Sequence, residues 1–410
     1  MKINGERLWD LITELGEKNR SHNGGINRPA FSQADREAID TVIKWMKEAN
    51  LNIRVDAMGN VFGRREGTQK SPVVLTGSHI DAVPNGGMFD GVAGVISSLE
   101  VMQTLDENNI KTTLPVEMVV FVNEEGSRFP GGTMGSRAVI GELSEDVPYE
   151  TLDDHGETLY SAMIKYGAKP DNILEAKRSP HEFHSFIELH IEQGKVLENL
   201  AKPIGVVTSI SGTRRLHVKI SGKSGHAGVT PMDARHDPMV AAAIVIKEIE
   251  KIATETSPLT RSTVGYIKAL PGGVNVIPSA VEFSVDIRDT DQENIEKATD
   301  RIKHNIKSNC KQRKLECEIT ETQNSEPTLM SVDIREKLKG FAQELKIPTT
   351  ELTSGAGHDA AVMATVCPSG MIFVRSKDGL SHCPEEYSSK EDLELGAQLL
   401  LTVVKNTATL

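Results

Sequence analysis

Apolar residues recur at three- and four-residue intervals over residues 6–19 and 34–49, which predicts two amphipathic helices, the second capped by Ser32. The period then shortens. LNIRVDA, NVFGRR and PVVLTGSH read as strands, GVAGVISSLEVMQTL (91–105) as a buried helix, and VEMVVFVN as another strand. Strand, helix, strand in this order requires a parallel crossover and predicts an α/β core. Residues 141–184 carry only short helical patterns. IELHIEQG (187–194) alternates strictly, as a half-buried strand does.

Near Ser211 the order of elements changes. RRLHVKISG, DPMVAAAIVIKEIEKIA, STVGYIKAL, AVEFSVDIRD, NIEKATDRIKHNIKS and LECEITETQ read as strand, helix, strand, strand, helix, strand. That is a complete βαββαβ, ferredoxin-like unit over 212–327. Afterwards the α/β pattern resumes with a helix at 332–345, the strand MIFVR and a helix at 390–404. The sequence therefore predicts an α/β fold with a mixed sheet in a discontinuous domain, 1–211 and 328–410, interrupted by an inserted domain.

Composition narrows the function classes. A net charge of −12 disfavours nucleic acid and anionic membrane as partners, although one arginine can still attract an anionic substrate into a pocket. The four cysteines have neither CxxC nor zinc-finger spacing and read as reduced thiols. MKINGERLWDLI has no apolar signal core, and no apolar run approaches the roughly 20 residues that span a bilayer. A cytoplasmic protein is expected.

The chemistry-bearing residues stand at strand ends. His79 follows PVVLTGS, and Asp81, two residues on, shares its face in extended chain and can orient the imidazole. Asp90 lies in the glycine-rich PNGGMFDGVAG just before a helix, where an N-cap is the plain alternative. VVFVNEEG ends in Glu124 and Glu125, two like charges that a solvated turn would also accommodate. Glu188, His190 and Glu192 share one face of IELHIEQG, and His382 follows MIFVR and a loop. Three histidines with two or three carboxylates suit Zn²⁺ or Mn²⁺, and open α/β sheets build their sites at the carboxyl ends of strands.

HIDAV, FDGVAG, NEEGSRF, ELHIEQG, GHAGVTPM and GLSHCPEE together resemble the M20 metallopeptidase-like amidohydrolases, over nearly the whole chain. Within them the sequence is most similar to the N-carbamoyl-L-amino acid hydrolase, allantoate amidohydrolase and β-ureidopropionase branch. Peptidase and aminoacylase relatives usually carry a carboxylate where His190 stands. The resemblance implies two divalent ions per subunit, foremost Zn²⁺, with Mn²⁺ or Co²⁺ also suited. Asp90 would bridge them, His79 and His190 would complete one ion's ligands, and Glu125 and His382 the other's. Glu124 would be the general base.

In the inserted domain the resemblance implies a homodimer and a closing lid. His226 would stabilise an oxyanion, in cis or across the dimer, and Asn275 and Arg288 would hold the substrate, Arg288 by its carboxylate. Gln193 and the backbone near Gly357 would contact the ureido group. An ion pair of Arg288 with Asp286 or Asp289 is the plain alternative for that residue. The expected reaction is hydrolysis of an N-carbamoyl-L-amino acid, with allantoate as the alternative substrate. A peptidase or aminoacylase, or a non-catalytic dimeric binding protein, is a remoter expectation.

Overall fold

A computed structural model describes residues 1–409. The chain forms an α/β structure with two compact units, each with its own sheet. The first comprises Met1–Thr208, Leu329–Leu352 and the segment from His358 on; the second comprises Ser209–Thr328 and Thr353–Gly357. The short piece 353–357 joins the second unit through backbone contact: Ser211 N donates to Ser354 O at 2.9 Å.

In the first unit, α1 (Gly5–Glu17) begins where the Asn4 side chain accepts from Arg7 N, and α2 (Gln33–Glu48) where Ser32 Oγ accepts from Asp35 N at 3.1 Å. Both helices send their apolar stripes, including Leu8, Ile12, Leu15, Ile39, Val42 and Met46, into the main core. The strands are β1 (Asn52–Val55), β2 (Val61–Arg65), β3 (Val73–His79), β4 (Val116–Phe121), β5 (Phe183–Ile191) and β6 (Ile204–Ile210). After the second unit's elements, β14 (Thr328–Leu329), β15 (Thr349–Ser354) and β16 (Ser369–Val374) complete the sheet. The order is β1-β2-β4-β3-β5-β16-β6-β14, with β15 also on β6.

The four central strands, β4, β3, β5 and β16, are mutually parallel, whereas β1, β2 and β6 join antiparallel. Parallel neighbours end at the same edge, so the loops after all four open on one side. Parallel pairing also explains a departure from the sequence pattern. IELHIEQG predicts a half-buried strand, yet β5 is buried on both faces from Ser185 to Ile191. Its alternate polar residues face an enclosed polar site rather than water. Strands β6 and β15 lack alternation strong enough to be read from sequence.

The helix α3 (Val92–Glu107) packs on β3 and β5 and is buried over nearly its whole length. Its closeness depends on Gly94. A Cβ there would stand 2.2 Å from Leu189 O and 2.8 Å from Ser78 Cβ.

The second unit has an antiparallel sheet, with β9 (Arg261–Thr263) and β10 (Ile267–Leu270) both on β12 (Ala280–Asp289), then β7 (Gly212–Ser221) and β13 (Glu316–Ser325). STVGYIKAL, which reads as one strand, is divided at Val264–Tyr266. Burial alternates along β7 and β12, and Leu216, Val218, Ile220, Phe283, Val285 and Ile287 meet the helices Pro238–Thr256 and Gln292–Gln312 in a separate core. Two short strands, β8 (Gly225–His226) and β11 (Val276–Ile277), pair with each other. Among the described residues, no helix is long and apolar enough to cross a membrane.

Gly94→Ala tests the packing of α3. Helix propensity favours alanine by about 1 kcal/mol, but overpacking against a strand carbonyl costs about 1–3 kcal/mol. The urea midpoint is expected to fall; a rise would show that α3 can retreat from the sheet freely.

Candidate metal centre

The carboxyl ends of β3 and β5, with His79 and His190, and the loops after β3, β4 and β16, with Asp90, Glu124, Glu125 and His382, come together around the Asp90 carboxylate. Asp90 Oδ1 lies 3.1 Å from His190 Nε2 and 3.7 Å from His79 Nε2. Asp90 Oδ2 lies 3.1 Å from His382 Nε2, which is in turn 3.4 Å from Glu125 Oε2. Two ligand groups follow, His79–Asp90–His190 and Asp90–Glu125–His382, each with its donor atoms within 4.8 Å of one another. Glu124 Oε2 stands 3.7 Å from His79 Nε2, beside the first group.

Local structure fixes each member. Asp90 is not the N-cap of α3; that position is Gly91, which makes no side-chain cap. Gly91 has φ +65°, and a Cβ on it would fall 2.6 Å from His79 Nε2, so only glycine lets the chain pass the imidazole. His190 Nδ1 bonds to Ile191 O at 2.9 Å, leaving Nε2 to face Asp90. Asn123, Gln193 and His382 all hold positive φ, at 52°, 55° and 57°. Such backbone is costly for residues with a Cβ and persists where surrounding contacts over-determine it.

The role expected of Asp81 changes. His79 Nδ1 bonds to the backbone carbonyl of Asp81 at 3.1 Å, while the carboxylate is 3.6 Å away. That carboxylate instead accepts from Glu124 N and Glu125 N, each at 3.2 Å. Asp81 thus pins the Glu-Glu turn. Beneath it, the wholly buried Arg28 donates from Nε to Ile80 O at 2.6 Å.

The other predicted residues divide between this centre and the second unit. Gln193 donates from Nε2 to Asp90 Oδ2 at 2.8 Å, so its amide is engaged with the central carboxylate. Glu192 caps the turn at Val196 and Leu197. His226, Asn275, Arg288 and Gly357 belong to the second unit. There His226 is exposed, and its ring Nδ1 accepts from Gly228 N at 3.0 Å; Asn275 O accepts from Ala227 N at 2.9 Å. Arg288 bonds Asp286 through Nε at 2.7 Å and Gly355 O through a terminal nitrogen at 2.9 Å, so the ion pair foreseen as its alternative does form.

The sequence offers His358 and Asp359 as groups behind the ligands and assigns Glu386 no role. The His358 and His190 rings meet with centroids 4.5 Å apart, and Glu188, His190 and His358 form a third convergent group. Glu188 is already satisfied by Ser78 Oγ at 2.7 Å and Ala360 N at 2.9 Å. Asp359 accepts from Ser136 Oγ at 2.6 Å. Only the adjacent His and Asp of SGAGHDAA mark the pair in sequence; nothing periodic marks Glu386.

Charge explains what the cluster can hold. Burial, and then the neighbouring Asp359, Glu125, Asp81 and Asp90, drive Glu124 well above the usual carboxylate range. Burial and Asp90 do the same for Glu125. Burial pushes Asp81 up to about 6, and burial with Asp90 pushes Glu386 up to about 7. Burial also opposes ionisation of Asp90, but its contacts with His190 and His382 outweigh that and hold it well below the usual range. His79 is lowered to about 4 by burial, whereas Asp90 lifts His190 to about 9 against burial. Glu125 Oε1 is buried with no hydrogen-bond partner. An excess of buried carboxylates, an orphaned carboxylate oxygen and converging imidazoles form a donor set that fits divalent cations.

The sequence profile of Peptidase family M20/M25/M40 matches residues 75–406. The chain belongs to this M20 family. It is 43% identical to the N-carbamoyl-L-amino acid amidohydrolase of Geobacillus stearothermophilus, over 98% of either chain. It is 37% identical to the allantoate amidohydrolase of Bacillus subtilis, over 98% of this chain and 97% of that one. The crystal structure of an amidase of the hydantoinase/carbamoylase family from Burkholderia multivorans superposes with a TM-score of 0.90 at 34% identity, covering 100% of this chain and 99% of that chain. Family and donor set together support use of a divalent metal.

The pKa directions set the pH dependence of the metal-free protein. Asp81, Glu124, Glu125 and Glu386 keep their protons in the folded state to higher pH than in the unfolded chain, so folding loses stability as pH rises from about 4 to about 7. His79, lowered to about 4, and His358, driven well below the usual imidazole range by burial, work the other way over the same window but are outnumbered. The urea midpoint of chelator-treated protein should be lower at about pH 7.5 than at about pH 5, and a divalent ion should remove the difference. An unchanged or rising midpoint without metal would contradict this charge balance.

Proposed function

We propose that the protein is a metal-dependent amidohydrolase that cleaves the ureido C–N bond of N-carbamoyl-L-amino acids. The observation that carries the reading is the single Asp90 carboxylate set between two ligand groups, His79 with His190 and Glu125 with His382. The full-length likeness to N-carbamoyl-L-amino acid amidohydrolases supports the substrate class. Two ions per subunit suit two ligand groups sharing Asp90, with Zn²⁺ foremost and Mn²⁺ or Co²⁺ compatible with the same donors.

Bound divalent cations would polarise the ureido carbonyl and make water acidic enough to lose a proton near neutral pH. Glu124 takes a proton from the attacking water and passes it to the departing nitrogen. The terminal C–N bond breaks, ammonia leaves, and the remaining carbamate loses CO₂ to give the L-amino acid. His226 and Asn275 would assist from the second unit, as oxyanion donor and substrate contact. Arg288 would exchange its pair with Asp286 for the substrate carboxylate. Gln193 and the backbone at Gly357 would meet the ureido group. We further propose a homodimer formed through the 212–327 domain and a cytoplasmic location; four free thiols accord with a reducing compartment.

Allantoate is the second reading, because it carries both a carboxylate and ureido groups and because the B. subtilis relative is named for it. Metal-stripped protein reconstituted with Zn²⁺, Mn²⁺ or Co²⁺ should turn over N-carbamoyl-L-methionine faster than allantoate. The reverse preference would transfer the assignment to allantoate, and no turnover of either would remove both.

Two substitutions test the roles. Glu124→Gln should retain metal and substrate binding and lower kcat by about 10²–10⁴-fold, since it removes the proton carrier alone; an active variant would place the base elsewhere. Arg288→Ala should raise KM for ureido acids much more than for an uncharged ureido analogue, and equal losses on both would contradict its carboxylate role.

A further inference from the structure

Two loops distant in sequence meet at the candidate centre: the segment before α3, with Asp90, and the segment after β16, with His382. We propose that Glu386 is the positioning residue that locks these loops together and fixes the aim of the Asp90 carboxylate, an inference that rests on reading the site as a metal centre. Glu386 ligates nothing in either ligand group around Asp90.

The argument starts from burial. Glu386 is 4% exposed, and a carboxylate so enclosed survives only with donors around it. Its Oε1 accepts from Phe89 N at 2.8 Å and Asp90 N at 3.0 Å, across 297 and 296 positions of sequence. Its Oε2 faces Ser381 Oγ at 2.7 Å, one residue before His382. A single side chain therefore grips the backbone of the central aspartate and the hydroxyl beside the histidine that faces it.

The grip bears on direction as well as on loop position. Two successive backbone N–H groups aimed at one oxygen set the orientation of the Asp90 peptide, and hence of its Cα–Cβ bond. Ser381 Oγ also lies 3.1 Å from Asp90 Oδ2, but it has one proton, and its shorter contact is to Glu386. By taking that proton, Glu386 leaves Oδ2 with the Gln193 amide and with His382 Nε2 at 3.1 Å. Room for the carboxylate is built in at Gly87, where a Cβ would stand 2.1 Å from Glu386 Cδ and Oε1. Outer groups of this kind typically govern metal affinity by about 10–100-fold.

The test compares parent, Glu386→Gln, Glu386→Ala and Gly87→Ala by chelator-competition titration with Zn²⁺ alone, and by the thermal midpoint without metal. Glutamine retains an oxygen for the two N–H groups, the contacts that orient Asp90, although its amide donates to Ser381 Oγ and turns that hydroxyl's proton toward Asp90 Oδ2; its affinity should therefore fall less than that of alanine. Alanine should weaken Zn²⁺ binding by about 10–100-fold and lower kcat more than it raises KM, with a metal-free midpoint lowered by the two N–H groups left unpaired. Gly87→Ala should reproduce that loss, since its methyl displaces the carboxylate. Parental affinity in Glu386→Ala, or equal loss in glutamine and alanine variants, would overturn the role. If the alanine variant fails to fold, Glu386→Asp, one methylene too short to span both loops, should show the same loss, and parental affinity there would overturn the role as well. Zn²⁺ binding by the parent tests the metal reading itself; only the ratio of variant to parent bears on Glu386.

Discussion

The candidate centre depends on keeping one buried carboxylate charged among other carboxylates. Asp90 lies amid Asp81, Glu124, Glu125 and Glu386, and burial raises each of these four toward the neutral form. Asp90 alone of the five is held in the opposite direction, by His190 on one oxygen and His382 on the other. Such an arrangement is expensive as a purely structural feature, because like charges in a poorly solvated space repel and lack water to screen them. It becomes favourable when cations share the space. Glu125, with one buried oxygen lacking any hydrogen-bond partner, is the clearest sign of what the cluster accommodates.

The sheet makes that convergence possible. Four parallel strands, β4, β3, β5 and β16, deliver their following loops to one edge, and α3 packs closely enough over β3 and β5 to bring Asp90 between them. Small residues keep the approach short. Gly94 lets the helix touch the strand backbone, and Gly91 lets the chain cross the His79 ring. Around this frame the donors are aimed by backbone contacts: Ile191 O orients His190, Asp81 O orients His79, and the Asp81 carboxylate holds the amides of Glu124 and Glu125. Rigid strand ends with hydrogen-bonded supports are what precise positioning of reacting groups requires.

The second unit carries its own alternating core and presents a different chemical set. Its Arg288 is already paired with Asp286 and tied to Gly355 O. A guanidinium held by one carboxylate is preorganised in direction. His226 stands at the end of a two-residue strand, exposed, with Nδ1 accepting a backbone hydrogen, which makes Nε2 the donor nitrogen of the neutral ring.

By itself the sequence determined the α/β class, the βαββαβ order of the second unit and the placement of His79, Asp90, Glu124, Glu125, His190 and His382 at or after the ends of apolar strands. These are legible because apolar periodicity is local, and because a polar residue ending an apolar strand stands out without a partner. Tertiary structure alone decided which oxygen of Asp90 faces which histidine, that Asp81 supports a turn through its carboxylate, and that β5 is buried on both faces. It also decided the enlistment of His358, Asp359 and Glu386, whose partners lie far away in sequence: Glu386 reaches Phe89 across 297 residues. Local patterning records which face of an element is dry. Hydrogen-bond partners and charge neighbours arise only when distant loops meet, and no periodicity encodes that meeting.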